Sequence, residues 1–125
     1  MPFKVAVDEE NEIVQIRIWG LATRNDHLAA RSEAAKLCDQ RRFRKLLIDL
    51  EYLKIRKGIS MMGCYRFGES LTQGILPIDI RIAHVMPGDP DARRAALFTT
   101  TVAKNRSGAI REFDTSTQAR EWLLS

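Results

Sequence analysis

The chain has 125 residues, 45% hydrophobic and 29% charged, with a formal net charge of +4 at pH 7. That is enough for one two-sided core and too little for two, and the balance is that of a folded chain, not a disordered one. No apolar stretch approaches the ~20 residues needed to cross a bilayer, and residues 1–4 carry no signal-peptide core, so a cytoplasmic protein without a transmembrane segment is expected.

The first elements read as paired strands. Residues 3–7 alternate around Val5, and Asp8-Glu9-Glu10-Asn11 is a polar turn. Residues 13–19 alternate again, with Ile13, Gln15, Arg17 and Trp19 on one side and Val14, Ile16 and Ile18 on the other. Two such runs across a short turn predict an antiparallel pair, ended by Gly20. Thr23 and Asp26 then mark a helix start, because hydroxyl and carboxylate satisfy free backbone N–H groups. The helix is expected to run to about Gln40. Leu28, Ala34, Ala35, Leu37 and Cys38 form its apolar face, while Arg31, Glu33, Lys36 and Asp39 face water. Arg41 and Arg42 follow its end and complement the negative pole of the helix dipole.

Leu46, Leu47 and Ile48 run without alternation, the pattern of a central strand covered on both faces. Residues 58–73 carry helical spacing in Ile59, Met62 and Tyr65 and in Met61, Cys64 and Gly68, although Gly63 and Gly68 each cost about 1 kcal/mol against alanine. Pro77 leads into a strand over 78–86. Asp89-Pro90 opens a helix that runs to about Lys104, with a capping carboxylate followed by proline at the first helical position. A turn over 105–108 and a strand over 109–113 follow. Thr115 and Gln118 form a capping box for the last helix, on which Ala119, Trp122 and Leu123 make the buried stripe. The order ββαβαβαβα predicts an α/β fold: one domain with a mixed, mostly parallel sheet of about five strands and about four helices, joined by right-handed crossovers.

Few residues offer chemistry. Cys38 and Cys64 fall in predicted helices with neither CxxC spacing nor zinc partners, so buried reduced thiols are expected. His27 and His84 each lack a partner at ligand or triad spacing. Gly58, Gly63, Gly68 and Gly74 match neither a dinucleotide nor a Walker pattern. No metal and no cofactor is therefore expected. The basic residues fall in small groups (Arg41, Arg42, Arg44 and Lys45; Lys54, Arg56 and Lys57; Arg93 and Arg94; Lys104 and Arg106). None of these groups is interleaved with aromatics, so they read as solvated charges and not as a specific nucleic-acid site. Asp49 is the best acid/base candidate, at the carboxyl end of a central strand where open α/β sheets place their sites. Glu51 is its companion and Asp79 a distant third. The plainer role, capping the following loop through backbone N–H groups, carries more weight because no nucleophile, phosphate loop or metal set accompanies Asp49. Residues 52–71 are the candidate interaction surface, since Met61, Met62, Tyr65 and Phe67 concentrate large adaptable side chains on one segment, and the equal alternative is that half of these pack on the sheet.

The element order, with the strand Lys45-Leu46-Leu47-Ile48-Asp49-Leu50 at its centre, resembles the STAS fold of anti-sigma-factor antagonists and of the cytoplasmic tails of sulfate transporters. It is closest to the SpoIIAA-like branch. Members of that branch carry a two-strand opening, an "LLIDL"-type central strand, and a Phe-Asp stretch before a short helix with a tryptophan, here Phe113-Asp114 through Ala119, Trp122 and Leu123. The resemblance covers nearly the whole chain and implies a non-enzymatic regulatory module that meets a protein partner, or a second copy in a homodimer, after the central strand. One departure stands out. The Asp-Ser-Ser/Thr-Gly motif whose serine is phosphorylated in anti-sigma-factor antagonists is missing. The aligned position falls near Gly58, and Ser60 comes about two residues late, so Ser60 reads first as an ordinary polar residue and only second as a phosphorylation site. The expected partner- or ligand-binding residues are Asp49, Glu51, Lys54, Arg56, Lys57, Gly58, Ile59, Met61, Met62 and Tyr65. The alternative is a lipid or small apolar or anionic ligand held by the same methionines and aromatics, with the nearby cations drawing anionic headgroups.

Overall fold

The structure, a computed structural model, describes residues 2–54, 80–106 and 109–125. Strands β1 (Phe3–Asp8), β2 (Ile13–Ile18), β3 (Lys45–Asp49), β4 (Arg81–Val85) and β5 (Ala109–Phe113) form one sheet in the order β1-β2-β3-β4-β5. The first pair is antiparallel, with Val5 opposite Ile16, and the other three pairs are parallel. Three helices occur among the described residues: α1 (Arg24–Arg41), α2 (Pro90–Arg106) and α3 (Ser116–Leu123). The α/β class and the mixed five-stranded sheet agree with the sequence reading. The expected helix over 58–73 lies outside the described residues.

The sheet is sandwiched between helices because β3 is apolar on both sides. Leu46, Leu47 and Ile48 are all fully buried. On one face Val14, Ile16, Ile18, Leu46, Ile48 and Ile82 pack against Ala30, Ala34 and Cys38 of α1 and Ala96 of α2. On the other, Ile13, Leu47, Ala83 and Val85 pack beneath Ala119 and Leu123 of α3, with Phe113 and Trp122 at the margin. Each fully buried aliphatic side chain on β3 contributes about 1.5–3 kcal/mol of transfer free energy. The alanines let α1 approach the sheet closely.

The three helix starts at Thr23, Asp89 and Thr115 are capped by side chains. Thr23 Oγ1 accepts from the Asp26 N–H at 3.2 Å while Asp26 Oδ2 accepts from the Thr23 N–H at 2.8 Å, a complete capping box. Asp89 Oδ2 accepts from the Ala92 N–H at 3.0 Å, and Thr115 Oγ1 from the Gln118 N–H at 3.2 Å.

Several details differ from expectation. Arg31, assigned to the water face, is buried. Steps of three and four residues from His27 through Ala30 and Ala34 to Cys38 place position 31 within the buried stripe, and a long arginine stem tolerates that placement. Burial draws its guanidinium down to about 10. Arg41 belongs to the last helical turn instead of following it. Arg42 closes α1 in the left-handed region at φ 58°, its N–H donating to the Cys38 carbonyl. Of the strand placed over 78–86, Arg81–Val85 form β4 with Ile80 and Met86 buried at either end, and residues 78 and 79 lie outside the described residues. Helix α2 runs on to Arg106, into the expected turn. Cys38 is buried, which pushes its thiol up to about 11, in keeping with an inert core cysteine. Cys64 lies outside the described residues.

His27 is mostly enclosed, and its imidazole is lowered to about 4, first by desolvation and then by the Arg31 charge. The unfolded chain, with an ordinary histidine near 6.5, therefore takes up this proton first as pH falls. Stability contributed by the neutral ring is present above pH 6.5 and is lost progressively between 6.5 and about 4, by about 3 kcal/mol in all. Urea unfolding followed across this range is expected to show that slope in the wild type and a flatter one in His27→Gln.

Candidate functional site

Strands β2 to β5 run parallel, so their carboxyl ends share one edge, the place where open α/β sheets offer binding positions. Asp49 closes β3 there and is only 2% exposed. Its Oδ1 accepts from the Glu51 N–H at 3.0 Å, the local turn that aspartate side chains favour. Its Oδ2 lies 3.5 Å from Arg17 Nε, because the parallel register sets Arg17 beside Asp49. The chain then folds back on itself, with the Leu53 N–H donating to Leu50 O at 3.0 Å and the Gly88 N–H donating to Glu51 O at 3.2 Å.

The run Tyr52-Leu53-Lys54 lies beside Trp19-Gly20-Leu21. Gly20 donates to Tyr52 O at 3.0 Å and accepts from the Lys54 N–H at 2.9 Å. Gly20 holds φ at 64°, which a side chain would strain even though the space beside it is open. Lys54 Nζ reaches Asp89 Oδ1, the capping residue of α2, at 3.7 Å.

Both Asp49 oxygens are engaged, and Glu51 meets Asp49 through its backbone N–H, with Glu51 itself exposed. Among the described residues, no group of three or more His, Cys, Asp or Glu side chains is placed to hold a metal. The structure brings Asp49, Glu51 and Lys54 together at this edge. Arg56, Lys57, Gly58, Ile59, Ser60, Met61, Met62 and Tyr65 lie outside the described residues, as do Phe67 and Asp79. Arg17 beside Asp49, and Gly20 beside Tyr52 to Lys54, were not foreseen. Their only signal was the alternation of β2, which fixes a face without fixing which strand lies alongside.

A second concavity, about 640 Å³, opens where β5 meets α2 and α3. Met86, Leu97, Phe113 and Trp122 line it together with charges of both signs, Arg93 and Arg111 beside Glu112, Asp114 and Glu121. Arg93 Nη2 pairs with Asp114 Oδ1 at 2.8 Å, and the Arg111 guanidinium lies 5.8 Å from the Phe113 ring centre. Phe113 and Trp122 are tilted against each other at 5.7 Å.

Asp49→Ala is expected to destabilise the fold by about 1–3 kcal/mol, since it removes the acceptor for a part-buried N–H and the partner of Arg17. Asp49→Asn keeps an acceptor oxygen and is expected to cost less. Arg17→Ala, at a side chain 55% exposed, is expected to cost no more than about 1 kcal/mol. Urea titration of the three variants checks the order.

No protein-family model matches the chain, and no curated protein matches it.

Proposed function

We propose that this chain is a non-enzymatic regulatory or protein-interaction module of the SpoIIAA-like/STAS type. It docks a partner protein, or a second copy of itself, through the edge where β3 ends and the segment 51–67 begins. The observation that carries this reading is the exposure of Trp19 (37%), Leu21 (54%) and Tyr52 (62%) on two runs tied side by side by backbone hydrogen bonds. Single exposed apolar side chains are ordinary, whereas several at one edge mark a contact surface. The commitment of Asp49 to its neighbours supports a binding role over a catalytic one. The resemblance draws support from the strand order, which sets the two-strand opening, the central strand and the Phe113-Asp114 stretch in one sheet. Among the described residues, no helix is long and apolar enough to cross a membrane.

A second reading, a small apolar or anionic ligand, is favoured by the cavity beside β5 and by its pairing of aromatic walls with arginines. That cavity is not the methionine-rich segment from which a ligand site was expected.

Light scattering across a concentration series separates the two. The wild type is expected to form a homodimer, or to carry a stoichiometric protein partner. Tyr52→Asp with Leu21→Asp, and separately Lys57→Glu with Met62→Asp, are expected to release a monomer with an unchanged melting temperature. A wild-type monomer that retains a small bound mass in native mass spectrometry would overturn the docking reading in favour of the ligand.

A further inference from the structure

Helix α3 has eight residues and packs on β3, β4 and β5, while on the same face of the sheet Lys4 and Ala6 of β1 and Arg17 of β2 are exposed. Strand alternation sets Gln15 and Arg17 of β2, and Lys4 and Ala6 of β1, on that face. The Trp19 N–H donates to Pro2 O at 3.0 Å, which continues the ladder and keeps Trp19 on the side of Arg17. Lys4 is the cross-strand partner of Arg17, and Ala6 that of Gln15. Two cations thus stand directly opposite each other, an arrangement that weakens a sheet unless an anion joins them. Among the described residues the carboxylate beside them is Asp49, which is buried and approaches Arg17 through Nε. Among the described residues, Lys4, the Gln15 amide and the Trp19 indole enter no hydrogen bond or ion pair. The acidic end of this hairpin, around Asp8 and Glu9, lies at the opposite end of the strands and is neutralised by Arg120 and Arg41.

We propose that this open face binds single-stranded nucleic acid without sequence preference, with a base stacked on Trp19 and phosphates held by Lys4 and Arg17. An indole plane beside two cations on a flat sheet is the combination that such binding uses. The Gln15 amide, both donor and acceptor, faces base edges. Leu21 and Tyr52 stand exposed beyond Trp19, and Lys4, Gln15 and Arg17 make most of the rest of this face polar, which sets a nucleic acid ahead of a lipid surface. The cation pair is made by the β1–β2 register, not by adjacency in the sequence, and is absent from the basic groups that the sequence displays. Trp19 is shared with the docking edge but Lys4 and Arg17 are not, so the effect of Lys4→Ala on oligonucleotide binding distinguishes this site from that edge.

The test is fluorescence anisotropy of a labelled oligothymidylate of about twelve nucleotides at about 50 mM salt, using the full chain. Binding is expected to weaken steeply with salt and to quench tryptophan emission, with the quench lost in Trp19→Phe. Trp19→Ala is expected to weaken binding about 10-fold or more. Lys4→Ala is expected to lower the log–log salt slope by about 0.7. Both variants should melt as the wild type does, because both side chains are exposed. Arg94→Ala, on the exposed side of α2, is expected to change nothing. No binding, an equal loss in Arg94→Ala, or binding to phosphatidylserine vesicles in place of the oligonucleotide would each overturn the proposal.

Discussion

The burial of β3 on both faces organises the molecule. Three consecutive aliphatic side chains point to alternate sides, so neither layer of helices alone removes them from water. Helices α1 and α2 must lie on one side and α3 on the other, and the chain must cross the sheet edge to put them there. The alanines of α1 and α3 are the matching half of this constraint, because small side chains let helix backbones sit close to a sheet of branched residues. The eight residues of α3 pack on β3 to β5, while Lys4, Ala6 and Arg17 on the same face of β1 and β2 are exposed.

Polar groups gather where that apolar centre stops. Asp49 is the last residue of the strand and the first at which the chain must turn, and it is buried between its register partners Arg17 and Val85 on the flanking strands. A carboxylate in that place needs partners, and it finds them in a backbone N–H and a guanidinium. What looks in one dimension like a poised acid is in three dimensions a fastening. The same fastening aligns Tyr52 with Gly20 and so sets the exposed apolar edge.

Local chemistry was legible in the sequence, and relations between distant residues were not. Thr23 with Asp26, Asp89 with Pro90, and Thr115 with Gln118 declare helix starts because the cap and the groups it satisfies lie within one turn. The unbroken Leu46-Leu47-Ile48 run declares a central strand for the same reason. Arg31 was misplaced because residue type was weighed above position, although its spacing from His27 and Ala34 put it in the stripe. The contacts of Arg17 were out of reach, since its partners are set by two pairings, one with β1 and one with β3. The cavity at β5 was equally hidden, being built from side chains of two helices and a strand that share no pattern.

The order of the strands in space is also their order along the chain. A sheet with this connectivity is built from one end: each strand, on leaving the ribosome, finds its neighbour already made. β1, β2 and α1 provide the platform on which β3 first lands. Until β4 arrives, however, β3 is an edge, with an open row of hydrogen-bonding groups beside fully apolar side chains. The segment between the two strands is long, so the nascent chain displays its stickiest element for the whole time needed to synthesise that segment. The strand that holds the finished molecule together is thus the one most exposed to misassociation during its birth.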